Sequence, residues 1–175
     1  MAKDLKKVIR SIPDFPKPGI VFRDITKLLA NTEAFHCALD LFEKYFRSRG
    51  VTRIAAIDSR GFIFGGALAD RLGVPLVLIR KKGKLPYATI GQEYSLEYGT
   101  DSLEIHTDAI RKNDKVAVLD DLLATGGTLE ASCRLVERLG GEVVAVSVLI
   151  ELSFLKGREK LRAYDVKSLV DYDTE

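Results

Sequence analysis

VAVLDDLLATGGT, Val116 to Thr128, reads as a strand, an acid pair, a phosphate loop and the start of a helix. Val116, Ala117, Val118 and Leu119 form the continuous apolar run of a buried parallel strand, and Asp120 and Asp121 follow at its carboxyl end. In Ala124-Thr125-Gly126-Gly127-Thr128 the glycines let the backbone curl so that successive N–H groups converge, and the threonines add hydroxyl donors. Leu129, Cys133, Val136 and Leu139 then recur at helical spacing, so the loop opens a helix whose positive end faces the same anion.

The loop fits neither nucleotide motif: no lysine follows Gly127, as a Walker A loop needs, and the GxGxxG dinucleotide fingerprint is absent. Two carboxylates beside a phosphate would repel it unless they face another part of the ligand, such as the 2- and 3-hydroxyls of a ribose whose 5-phosphate fills the loop. Ribose 5-phosphate is the ligand these residues suggest. The stretch resembles the 5-phosphoribosyl-1-diphosphate (PRPP) signature of the type I phosphoribosyltransferases. The resemblance implies that Asp120 and Asp121 hold the ribose and act in catalysis, and that Ala124, Thr125, Gly126, Gly127 and Thr128 bind the 5-phosphate.

Composition narrows the classes. A chain of 175 residues suits one domain with a sizeable core. A net charge of +2 with both signs interspersed leaves no electrostatic footprint for nucleic acid or an anionic membrane. Cys37 and Cys133 are the two cysteines, far apart and outside any CxxC pair, and read as small core residues of a reduced compartment. The N-terminal MAKDLKKVIR is charged where a signal peptide would be apolar, and no run reaches the ~18 apolar residues of a membrane span, so a cytoplasmic, soluble protein is expected.

Upstream, Leu5, Val8, Ile9 and Ile12 are spaced for a short amphipathic helix ending at Pro13. Pro13-Asp14-Phe15-Pro16-Lys17-Pro18-Gly19 is then stiff and extended, and Phe22 stands between polar neighbours. On the residues alone Phe22 could equally be core. IPDFPKPGIVFRDIT, however, resembles the hood of adenine phosphoribosyltransferases, spanning about residues 10–27. It implies that main-chain groups at Val21 and Arg23 read the adenine edge while Phe22 stacks on the base, a contact worth ~1 to 3 kcal/mol. Asn31 or Thr32 caps and Gly50 ends a helix through Phe35, Leu39, Phe42 and Phe46, which is scaffold. His36 and His106 lack ligand-spaced partners and receive no chemistry.

Three more apolar strands follow the same plan. Arg53 to Ile57 leads into Asp58-Ser59-Arg60-Gly61 and a helix from Phe62 to Gly73. DSRGFIFG matches the family's pyrophosphate turn, implying Ser59 and Arg60 as ligands and a cis peptide between Asp58 and Ser59. Pro75 to Ile79 ends in Arg80-Lys81-Lys82-Gly83-Lys84, either a solvated charge run or further pyrophosphate cations, with Arg80, Lys81 and Lys84 the candidates. Leu85 to Ile105 alternates like a hairpin turning at Gly99-Thr100-Asp101, within a segment of about 82–106 that is either a plain edge hairpin or a lid. YSLEYG resembles the family's flexible catalytic loop, which implies roles for Glu97 and Tyr98; Glu97 or water would assist protonation at the purine ring. Val143 to Ile150 is the fourth strand, and the family position of Leu152 packs on the purine. Ser153 to Arg162 reads as a short helical connection and Val166 to Val170 as a last strand.

These segments predict an α/β fold, an open and mostly parallel sheet flanked by helices, with a small N-terminal hood and a hairpin lid. The resemblance, running from Ile9 to about Lys160, implies purine salvage: PRPP and adenine as substrates, AMP and pyrophosphate as products, Mg2+ carried by PRPP near Asp120 and Asp121 with no dedicated protein cage, and a homodimer. A 6-oxopurine transferase shares everything but the base site, and a PRPP-sensing regulator without catalysis would need an added nucleic-acid-binding face.

Overall fold

The computed structural model describes residues 4–95 and 100–174. In chain order it contains a 3-10 turn (Leu5–Val8), β1 (Arg10–Ile12), β2 (Phe22–Asp24), α1 (Thr26–Leu29), α2 (Thr32–Ser48), β3 (Arg53–Ile57), α3 (Gly61–Leu72), β4 (Leu76–Lys81), β5 (Thr89–Ser95), β6 (Thr100–His106), β7 (Lys115–Leu123), α4 (Gly127–Arg138) and β8 (Glu142–Leu152). Two 3-10 turns, Ser153–Leu155 and Gly157–Leu161, lead to β9 (Val166–Tyr172). Among the described residues seven strands form one sheet in the order β5-β6-β4-β3-β7-β8-β9. β4, β3, β7, β8 and β9 run parallel, and β6 and β5 add an antiparallel edge.

Alternation along the central strands sends side chains to two cores. Ile54, Ala117, Leu119 and Leu149 meet α2 and α3 through Phe42, Phe46, Phe64 and Leu68 on one face. Ala55, Val77, Val116, Val118 and Val146 meet α4 through Leu129, Cys133, Leu135 and Val136 on the other. Both faces are covered, which is why these strands are nearly continuous in apolar residues. Asn31 caps α2, its side chain accepting the Ala34 N–H at 3.0 Å.

Four local expectations change. The helix expected through Ile12 is only the turn Leu5–Val8; Arg10–Ile12 instead pairs antiparallel with Phe22–Asp24, because the proline-rich link brings the two segments side by side. Asp120 and Asp121 do not follow their strand but belong to it, since β8 is long enough to pair with β7 as far as Leu123. Arg80 and Lys81 likewise lie within β4, paired with Glu104 and Leu103. Thr100 and Asp101 are strand residues opposite Ser95 and Tyr94 rather than the hairpin's turn. Glu97 and Tyr98, on which the lid's proposed chemistry falls, lie outside the described residues.

Candidate active site

Beyond the carboxyl ends of β3 and β7 the sheet opens into a cleft of about 400 Å³. Ser59, Arg60, Lys81, Asp120, Asp121, Ala124, Thr125, Gly126 and Thr128 line it, with Tyr94 and Leu103 from the hairpin. Residues from four separate segments of sequence thus share one concavity at the edge where open parallel sheets bind ligands. Gly127, the first residue of α4, and the cations Arg80 and Lys84 are not in its wall.

The acid pair is held under electrostatic tension. Burial, reinforced by the neighbouring Asp121 charge, pushes the Asp120 carboxyl well above the ordinary aspartate range, even though its Oδ1 accepts the Asp121 N–H at 2.8 Å. Asp121, 5% exposed, is also raised by burial, and the Arg60 guanidinium opposes the shift from 2.9 Å. Asp121 Oδ2 is buried without a well-aligned hydrogen bond despite that ion pair. Asp121 Oδ2 is thus an acceptor with room for a donor beside the Asp120 carboxyl, and ribose hydroxyls are donors of the right kind. Gly61 makes room for them: a Cβ there would lie 3.1 Å from Asp120 Oδ1 and 3.0 Å from the Leu119 carbonyl oxygen.

The loop after β7 curls at Gly126, whose φ of 81° is left-handed and suits glycine. α4 starts at the next residue, so the loop's N–H groups and the helix N-terminus point into one cup. In the turn after β3, the Asp58–Ser59 peptide is cis, as the resemblance implies. Arg80 is engaged within the protein: its Nε donates to Asp58 Oδ2 at 2.9 Å and its Nη1 to the Lys84 carbonyl at 3.1 Å, so it braces this turn. Lys81 enters the cleft, and its Nζ lies 3.0 Å from Asp101 Oδ2. That contact raises the Lys81 ammonium pKa and lowers the Asp101 carboxyl. Asp101 Oδ2 also accepts from the Tyr94 hydroxyl at 3.2 Å.

The hood residues form a separate wall. Phe22 is half-buried, with the Arg60 guanidinium carbon 5.3 Å from its ring centroid and Phe15 edge-on at 5.2 Å. Arg23 turns its side chain away, to the Ser11 hydroxyl and over the Tyr172 ring at 3.9 Å. Only the main chain of Arg23 is therefore left for a ligand at this edge. Val21 is half-buried, and Leu152 ends β8 beside Tyr172 of β9. Neither lines the cleft, so the structure gathers Asp120, Asp121 and all of the phosphate loop but Gly127 into one cavity, and Arg60 of its wall reaches the Phe22 ring of the hood.

Sequence reasoning missed Tyr94, Asp101 and Leu103. Alternation marked the hairpin but carried no sign that its inner face would meet the cleft. Among the described residues no cluster of three or more His, Cys, Asp or Glu side chains could hold a metal, and no helix is long and apolar enough to cross a membrane.

A doubly covered parallel sheet with an acid pair and anion cup at its carboxyl edge defines a phosphoribosyl-binding class of protein, and the chain belongs to the phosphoribosyl transferase domain family, whose model matches residues 24–174. Its resemblances are narrower still. It is 56% identical to the adenine phosphoribosyltransferase of Thermotoga maritima over 97% of this chain and 98% of that protein. The crystal structure of the Thermoanaerobacter pseudethanolicus adenine phosphoribosyltransferase superposes with a TM-score of 0.94 at 52% identity, covering 98% of this chain and all of that one. The Saccharomyces cerevisiae enzyme, solved with an imino-altritol bisphosphate and adenine, has a TM-score of 0.91 at 38% identity, covering 96% of this chain and 97% of that one. The fold is the type I phosphoribosyltransferase fold.

Proposed function

We propose that this chain transfers the 5-phosphoribosyl group of PRPP to N9 of adenine, giving AMP and pyrophosphate in purine salvage. The observation that carries the reading is the cleft itself, where the adjacent carboxyls of Asp120 and Asp121 face the same space as Ala124, Thr125, Gly126 and Thr128 of the cup. Relatives of this length and identity that are adenine phosphoribosyltransferases support the choice of base.

In this reading the 5-phosphate sits in the cup and the ribose hydroxyls donate to the two aspartates. N9 attacks C1 as the C1–O bond to pyrophosphate breaks with its electron pair, and N9 loses its proton. Positive charge grows on the ribosyl ring in between, and the two carboxylates stabilise it. Ser59, Arg60, Arg80, Lys81 and Lys84 receive the leaving pyrophosphate, Arg80 also bracing Asp58 of the turn. The Val21 and Arg23 main chain and the Phe22 ring hold adenine against Leu152, fixing base and sugar in line. Glu97 and Tyr98 close the site from the lid, Glu97 or water serving the purine proton. Mg2+ would rest beside Asp120 and Asp121 as a hydrated ion carried on the phosphates of PRPP, where its chemistry would be to neutralise the leaving group; the third carboxylate of the cleft wall, Asp58, is engaged by Arg80 at 2.9 Å.

The chain is read as one domain, with a hood over 10–27 and a lid over 82–106, working in the cytoplasm as a homodimer. Support for the dimer comes from an uncovered apolar strip. Leu76 and Leu78, opposite Ile54 and Ala56 in register, remain 36% and 38% exposed, beside Ile63 of α3 at 42%.

The test is purified protein with PRPP, Mg2+ and each purine in turn, following pyrophosphate release. Adenine should be used at least ~10⁴-fold more efficiently than hypoxanthine or guanine, because a base site built on one hydrogen-bonding edge leaves groups unpaired with the other. Comparable turnover of hypoxanthine would make this a 6-oxopurine transferase, and PRPP binding without turnover of any purine would make it a regulator.

A further inference from the structure

The link between β8 and β9 presses on the phosphate cup from outside. A Cβ built on Gly157 would lie 2.1 Å from the Ala124 carbonyl oxygen, 3.0 Å from the Gly126 nitrogen and 2.8 Å from Leu123 Cδ1. A Cβ on Gly126 would in turn fall 2.4 Å from the Gly157 carbonyl oxygen. The two backbones therefore touch with no side chain between them, and apart from Leu123 Cδ1 the atoms that would be struck are main chain, which cannot swing aside.

Nor can the link retreat. Arg158 Nε and Nη2 each donate at 2.7 Å to one oxygen of Glu151, which is 5% exposed at the end of β8. Its Nη1 and Nη2 also reach the Val166 carbonyl and the Ser168 hydroxyl of β9, at 3.0 and 3.2 Å. Three residues beyond Arg158, Leu161 is buried in the core shared with α4. A clamp on both neighbouring strands and an anchor in the core hold Gly157 where it is.

We propose that Gly157 is a positioning residue of the phosphate cup: its bare backbone, clamped by the Arg158–Glu151 pair, is the back wall that sets the curl of Ala124 to Gly127. The proposal rests on reading that loop as the 5-phosphate site. Gly157 does not sit at a left-handed φ, unlike Gly126, so a methyl group there tests the contact alone.

The experiment compares wild type with Gly157→Ala and with the double variant Glu151→Gln/Arg158→Gln, which keeps hydrogen-bonding side chains of similar size but dissolves the charged clamp. KM for PRPP, KM for adenine, kcat, and ribose 5-phosphate affinity by calorimetry are measured, with Tm and circular dichroism as controls. Gly157→Ala should raise the KM for PRPP and the Kd for ribose 5-phosphate about tenfold or more, as a displaced binding loop does, while the adenine KM moves less than about twofold. The double variant should move the same two constants in the same direction by a smaller factor, and it decides the matter if Gly157→Ala does not fold. A folded Gly157→Ala with wild-type PRPP and ribose 5-phosphate constants, equal losses for PRPP and adenine, or an unshifted double variant would overturn the proposal. Wild type that neither uses PRPP nor binds ribose 5-phosphate would overturn the functional reading and this inference with it.

Discussion

Arg60 Nε lies 2.9 Å from Asp121 Oδ2, and the same guanidinium stands 5.3 Å over the ring of Phe22. One side chain at the start of α3 thereby joins an aspartate of the central strand to the aromatic ring of the hood, across segments that the sequence separates by 38 and 61 residues. Cation and ring attract through the ring's quadrupole, and cation and carboxylate through charge. Arg60 was expected only as a pyrophosphate ligand; in the ligand-free chain it already serves both other parts of the site.

The first prediction follows from that bridge. Burial raises the Asp121 carboxyl and Arg60 opposes it, so Arg60→Ala should raise it further. Ionised, Asp121 accepts from a hydroxyl with the help of its charge and on both oxygens; protonated, it loses that charge and part of its acceptor capacity. The acid limb of the pH profile of kcat/KM for PRPP should then move to higher pH, with a loss at neutral pH of about tenfold, the worth of one hydrogen bond to a charged group. Arg60→Lys keeps a charge but not the planar fork, and should fall between. An acid limb that stays in place in Arg60→Ala would show that the guanidinium does not govern Asp121.

The second concerns Lys81, whose Nζ meets Asp101 Oδ2 at 3.0 Å in the cleft wall. Pyrophosphate arriving there must compete with Asp101 for the ammonium. Asp101→Asn should therefore lower the inhibition constant of pyrophosphate by about two- to fivefold, the range of an exposed ion pair, with the gain shrinking at high salt. The Tyr94 hydroxyl can still pair with the amide, so the hairpin should keep its stability. Pyrophosphate inhibition that weakens in Asp101→Asn would mean that the pair orients Lys81 for the ligand.

How much of this was readable in advance depended on whether the signal was local. The β7 stretch announced its strand, acid pair, cup and helix because each needs particular residue types at fixed spacing, and all four lie within one run of chain. The core helices were equally legible from periodicity and from Asn31 as cap. Strand ends were not: Asp120, Asp121, Arg80 and Lys81 look like turn residues, and only the length of the neighbouring strand extends the ladder over them. The role of Arg80 as a brace, and the places of Tyr94 and Asp101, depend on pairing across the sheet that no single segment encodes. Gly157 is the extreme case, a glycine whose reason is another stretch of backbone more than thirty residues away.

The third prediction tests the uncovered strip on β4 and α3. Leu76 and Leu78 occupy the same sheet face as Ile54, yet remain more than a third exposed. In analytical ultracentrifugation the protein should sediment as a dimer, and Leu78→Glu should shift it towards monomer, because a charge placed in an apolar contact loses its water without gaining a partner. The variant should fold, since the residue is already exposed in the single chain. A wild type that stays monomeric at tens of micromolar would remove the dimer, and a Leu78→Glu dimer of unchanged affinity would move the interface elsewhere.

The last prediction separates stability from activity at Asp120. Its carboxyl is raised in the folded chain, first by burial and then by the Asp121 charge. A group whose pKa is higher folded than unfolded favours the fold below the unfolded pKa, and that contribution is lost as pH rises through the folded pKa. At neutral pH an ionised Asp120 is thus a burden on the folded chain, one that a ribose hydroxyl donating to it would relieve. Asp120→Asn removes the charge while retaining size and one acceptor, so at pH 7 the ligand-free variant should melt at or above the wild-type Tm. The difference should close as pH falls through the raised pKa of the folded chain towards the ordinary aspartate range, since over that window wild-type Asp120 takes up its proton and comes to resemble the amide. Over the same substitution kcat/KM for PRPP should drop by about 10²-fold or more, the scale of losing one electrostatic group aimed at developing charge. Saturating ribose 5-phosphate should reverse the order of the two Tm values, since it binds the carboxylate better than the amide and stabilises whichever form it binds. Thermal melts at pH 4 to 8, with and without ribose 5-phosphate, measure all of this together with steady-state rates. An Asp120→Asn protein that melts several degrees below wild type at pH 7 without ligand would show the carboxylate to be part of the fold's support, and one with unchanged turnover would remove it from the site.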